Sequence, residues 1–202
     1  MNEEQGTQHD RDDLLNRIDL METLVQEGRR STEHWGWCFL LWGTAYLIAM
    51  GWSYGSQRPG VAWSVTMIAA AGIFIVIGSR RKTNPRTKNS RAIGGTWAAV
   101  GCALFIYGFS ASASGHAEIH SFFAAIEALL GVANFSSAAI LRWRTQFAAA
   151  IAWWGAAIAS CFVNPTMVLP VFVAATLVGM IGFGLYLMYR EHHPHSAAVQ
   201  HG

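Results

Sequence analysis

Six stretches of the chain, residues 35–54, 61–78, 93–112, 119–141, 146–163 and 167–189, are apolar almost throughout, and short polar segments separate them. At 1.5 Å rise per residue, each reaches most or all of the way across a hydrocarbon core roughly 30 Å thick. The pattern predicts an all-α polytopic membrane protein, a six-transmembrane-helix bundle over residues 35–190. The links at 55–60, 113–118 and 164–166 are short, so neighbouring spans are expected as three antiparallel hairpins. Pro170 falls in the first turns of the last span, where a missing amide donor is tolerated or gives a mild kink.

The flanks read differently. Residues 1–34 form a polar, acidic N-terminal region, and residues 191–202 form a His-containing tail with His192, His193 and His195. Within the N-terminal region, Leu14, Ile18, Met21 and Val25 recur at steps of four, three and four. That is the seam of a short amphipathic or coiled-coil helix, expected over about 12–30. Its polar face carries Asp12, Asp13, Asp19, Glu22 and Glu27. Helices that lie on anionic lipid carry Lys and Arg there instead. A cytoplasmic protein partner, or a second copy of the chain, therefore suits residues 12–30 better than a membrane surface.

Composition sharpens the membrane reading. The chain is 52% hydrophobic and only 13% charged, about half the charged share of soluble domains. Threading six spans in alternation gathers Arg11, Arg17, Arg29, Arg30, Arg80, Arg81, Lys82, Arg86, Lys88, Arg91, Arg142, Arg144 and Arg190 on one side, leaving Arg58 opposite. Positive charge is retained on the cytoplasmic side during insertion, so both termini are expected there, in a cell membrane of the bacterial inner type. Residues 80–91 are basic without an acid and are expected to attract anionic lipid. No nucleic-acid reading module accompanies that charge, and no nucleic-acid partner is expected. Trp35, Trp37, Trp52, Tyr54, Trp63, Trp143, Tyr186 and Tyr189 lie near span ends, the place of interfacial anchors. Alanine-rich span five reads as the central packing helix.

Candidate chemistry is sparse. Glu127 is the only acid or base of the Asp, Glu, Lys or Arg kind inside any span. A charge at that depth costs at least about 2.5–3.5 kcal/mol. The carboxyl is therefore expected to be neutral, paired or in a wet cavity. His120 lies seven residues before it and Asn134 seven after, making one polar stripe along span four. His116 and His120, with Glu118 between them, could begin a metal site at the external start of that span, though two histidines are not a full ligand set. Cys38, Cys102 and Cys161 lie in three different spans without motif spacing and read as small apolar residues. No cofactor fingerprint or nucleophile motif is present, and no cofactor is expected.

These observations order three functions. The first is a non-enzymatic membrane component acting through its N-terminal helix, by partner docking or self-association. The alternative is a small proton- or cation-linked carrier or conduit using Glu127, with Asn134 and His120 along the path. The third is a metal-binding membrane protein or enzyme at His116 and His120.

Overall fold

A computed structural model describes residues 35–54, 56, 58–80, 88–115 and 118–192. All regular structure among them is helical: α1 (Gly36–Ser53), α2 (Pro59–Arg80), α3 (Lys88–Ser114), α4 (Ile119–Leu141), α5 (Arg144–Phe162), α6 (Pro165–Thr176), a π-helical segment (Leu177–Gly182) and α7 (Phe183–His192). The last three join end to end into one column, Pro165–His192. Five helices are long and apolar enough to cross a membrane: α2, α3 over Arg91–Ala111, α4, α5 and this column. The chain is thus a helical, multi-pass membrane protein by the character of its helices. α1, which carries Trp37, Trp42, Tyr46 and Trp52 among its 18 residues, is not among these five.

Local chemistry explains where the helices stop and start. α2 and α6 open on Pro59 and Pro165, whose missing N–H falls where a helix has no use for it. α3 gives way at Gly115, which has φ +71, and α4 closes on Arg142 in the left-handed region at φ 48. Several helices outrun their apolar stretches. α3 begins at Lys88, not 93, and the last column runs to His192, past the expected tail boundary at 191. Hydropathy marks the length in hydrocarbon, whereas a helix continues through the polar headgroup zone until a breaker stops it.

α4 packs on α3, α5 and α6, while α1 packs on α2, α7 and the π segment. The central helix is α4, with half its length buried against 28% for α5. The expectation for span five is corrected: its alanines lie partly on a lipid-facing side, with Ile151, Ile158 and Phe162 exposed. One core layer joins Tyr46 and Met50 of α1, Phe123, Ile126 and Leu130 of α4, Trp153 of α5, Val168 and Phe172 of α6, and Met180. The Phe172 ring is its hub, 4.9 Å from Phe123, 5.7 Å from Tyr46 and 6.2 Å from Trp153. A second layer joins Phe39, Ile93, Leu141, Trp143, Phe183 and Leu187 near the α4–α5 turn.

Two anchors read from sequence turn out to be packing residues. Trp143 is only 4% exposed, its ring 5.8 Å from Phe183. Trp63 packs among Tyr46, Phe122, Phe123 and Phe172. Both lie at span ends, but the helices there converge, burying Trp143 and partly covering Trp63. Close approach elsewhere depends on glycine. A methyl on Gly36 or on Gly184 would stand 2.9 Å from the other's carbonyl oxygen, so α1 and α7 touch backbone to backbone.

Candidate functional site

Glu127 sits on the inner face of α4 and is fully buried. Neither carboxyl oxygen has a hydrogen-bond partner. The side chain facing it is Ser160 of α5, also fully buried, whose hydroxyl is near enough to interact but outside hydrogen-bond geometry. Asn134, two turns along α4, is 1% exposed; its Nδ2 donates to the Leu130 carbonyl at 2.9 Å and its Oδ1 is unpartnered. Ser137 is likewise enclosed, donating to the Ala133 carbonyl and accepting from the Trp97 indole of α3 at 3.0 Å.

His120 closes the stripe at the start of α4. It is partly exposed, and its Nδ1 lies 3.0 Å from the Ser160 carbonyl oxygen, tying the two helices at that end. Glu118 caps the helix: its carboxylate accepts from the amides of His120 and Ser121 and from the Ser121 hydroxyl at 2.6 Å. Those bonds, the Ser121 hydroxyl first, lower its pKa from 4.5 to about 2. His116 lies outside the described residues. Among the described residues no three His, Cys, Asp or Glu side chains come together as a metal-binding group.

Three contacts fix how α4 and α5 run. His120 meets Ser160, the Trp154 indole donates to the Ala128 carbonyl at 3.2 Å, and the Phe135 ring lies 5.7 Å from Phe147. Positions rise along α4 as they fall along α5, so the pair is antiparallel. Gly131 permits this approach, since a methyl there would collide with the Trp154 indole. Trp153, the neighbouring indole, turns inward to the π segment, where Gly179 leaves room for it.

The structure thus buries Glu127 and Asn134 on one face of α4, with His120 at the start of that helix. It also adds residues that the sequence reading left out. Gln146, Ser160 and Thr176 are fully buried with unpartnered polar atoms, as is the Trp153 indole nitrogen. A signal for three of them was available. Gln146, Trp153 and Ser160 repeat at seven, the same spacing as His120, Glu127 and Asn134. The seam residues Leu14, Ile18, Met21 and Val25 of the N-terminal helix lie outside the described residues, as does the tail from 193 and most of the basic stretch 80–91.

Comparison with protein-family models, with curated proteins and with solved structures finds no match for this chain.

Proposed function

We propose that the chain is a six-span membrane protein in which Glu127 is the proton- or cation-binding group of a small carrier or conduit. The carrying observation is the carboxyl itself, fully buried with both oxygens unpartnered between α4 and α5. An ionised carboxyl held there without a partner costs several kcal/mol. The group is stable only when it holds a proton or a counter-ion, which makes its occupancy the variable on which transport would turn. Other titratable groups near this core are His120 at the end of α4, Tyr46 of α1 in the same apolar layer, and Tyr107 of α3 stacked on Phe122. None of them carries a permanent positive charge.

The six-span count rests on α1. Its 18 residues reach about 27 Å, and counting it as a span puts every Lys and Arg but Arg58 on one side. Both termini are then cytoplasmic. The test is proton flux into vesicles carrying the purified protein. Glu127→Gln should abolish the flux and Val132→Ala, on the lipid-facing side of α4, should retain it. Equal flux in both variants would reject the reading.

N-terminal docking is retained as a second reading, favoured by the seam of Leu14, Ile18, Met21 and Val25 under an acidic face. Its occupant would be a cytoplasmic protein or a second copy of the chain, with the basic stretch 80–91 meeting anionic lipid nearby. Removing residues 1–30 should abolish association and leave membrane insertion intact. Undiminished association after that removal would sink it.

A further inference from the structure

The short turn Arg142–Trp143 joins α4 to α5, and a groove of about 280 Å³ opens beside it. Arg142, Trp143 and Arg144 line one end of the groove, and Phe135 and Ala139 of α4 with Phe147 of α5 line the rest. Those last three side chains are exposed, so the groove faces outward from the bundle, and the two Phe rings stand 5.7 Å apart across it. No acid lines it, and the first turn of α5 carries none.

The lining is ordered by depth. α4 and α5 are both long and apolar enough to cross a membrane, so the turn between them lies at the membrane surface and the groove runs inward from it. Phe135 is seven residues before Arg142 on α4, about 10 Å along the helix axis. Phe147 is almost one turn past Arg144 on α5. Two bases thus stand at headgroup depth, with carbon walls beneath them at the depth of acyl chains. Arg142 adds an independent sign. Its φ of 48 lies in the left-handed region, where glycine closes a helix freely and a residue with a side chain is strained. A long basic residue is held there instead, and residues held in this way gather at ligand sites.

We propose that the groove binds one anionic glycerophospholipid, its phosphate on Arg142 and Arg144 and part of one acyl chain against Phe135, Ala139 and Phe147. Charge and depth together select this occupant. Guanidinium groups suit phosphate because they offer N–H donors in a planar fork. A free phosphate would use the arginines and leave the apolar walls unused. Phosphatidylcholine would fill the walls but bring a quaternary ammonium to the two bases. The volume is near the lower end of ligand pockets, roughly 300 Å³, so the groove seats a headgroup and part of one chain while the rest stays in the bilayer. On the six-span reading the turn meets the cytoplasmic leaflet, which carries the anionic lipid. The site is separate from the basic stretch 80–91 and does not depend on what Glu127 carries.

The experiment is native mass spectrometry of the full chain in detergent, titrated with phosphatidylglycerol or with phosphatidylcholine of the same acyl chains. One phosphatidylglycerol should bind about tenfold more tightly than phosphatidylcholine, the order expected of two bases near a bilayer surface. Arg142→Gly/Arg144→Gln should lose that preference, glycine being chosen because it adopts the left-handed position without strain. Arg80→Gln/Arg91→Gln, which removes two exposed bases elsewhere on the same side, should keep it. Ala139→Phe fills the groove from an exposed position and should weaken phosphatidylglycerol by a similar factor, which carries the test if the Arg142 variant does not fold. Equal binding of the two lipids by the wild-type chain would overturn the proposal. So would equal loss in the two arginine variants, the mark of a general charge effect, or undiminished binding in Ala139→Phe. Displacement of the lipid by millimolar inorganic phosphate would overturn it as well, by showing that the site takes the anion alone.

Discussion

Replacing Gly179 with alanine should destabilise the bundle, while the same change at Gly155 should not. A methyl on Gly179 would stand 2.5 Å from Trp153 Nε1, 2.8 Å from Cε2 and 3.2 Å from Cζ2. Ordinary non-bonded contact lies at about 3.5–4.0 Å, so the indole would have to retreat by about 1 Å. It has nowhere to go. Trp153 is fully buried, with Phe172 packed beside it and Met180 in the same core layer. An added methyl in so filled a place costs about 1–3 kcal/mol. At about 2–4 °C per kcal/mol for a chain of this size, thermal unfolding should fall by about 2–12 °C. Gly155, on α5, meets nothing within 4 Å, and alanine there should be neutral or gain up to about 1 kcal/mol of helix propensity. The assay is thermal unfolding of both variants in one detergent, followed by Trp fluorescence. Equal melting of the two variants would refute the packing of Trp153 on the π segment.

Trp97→Phe removes an indole donor from the Ser137 hydroxyl and should cost about 0.5–1.5 kcal/mol. A double-mutant cycle with Ser137→Ala measures the coupling, and a value near zero would deny the bond. Glu118, with its pKa lowered to about 2, supports the start of α4 fully above about pH 4.5 and loses that contribution as pH falls towards 2. Amide exchange at His120 and Ser121 should therefore accelerate through that window, and Glu118→Gln should remove the acceleration.

The apolar runs revealed the spans because lipid demands long uncharged helices, and the same contrast exposed Glu127, a lone acid in an apolar run. Its partners were harder to see. A serine or glutamine in such a helix often bonds its own backbone, as Ser137 does to the Ala133 carbonyl. Nothing in the letter Ser160 tells that case from an orphaned group facing a carboxyl, nor in Gln146 from a buried amide without a partner. Only the repeat at seven hints at it. The π segment has no sequence signature of its own, and Trp143 misleads because an aromatic at a span end has the same spelling whether it faces lipid or folds under. The alanines of α5 suggested a centre, but burial depends on what surrounds a helix, and α4 is the one with neighbours on several sides.

The most direct test of the central claim is infrared difference spectroscopy of the protein in lipid, titrated from about pH 4 to about pH 10, with Glu127→Gln as the assignment control. The account predicts a carboxyl band that the substitution removes and whose intensity follows the pH of the bath, the mark of a buried acid that exchanges protons with water. A Glu127 band that stays constant over the whole range would contradict it, and would make the residue a fixed structural group.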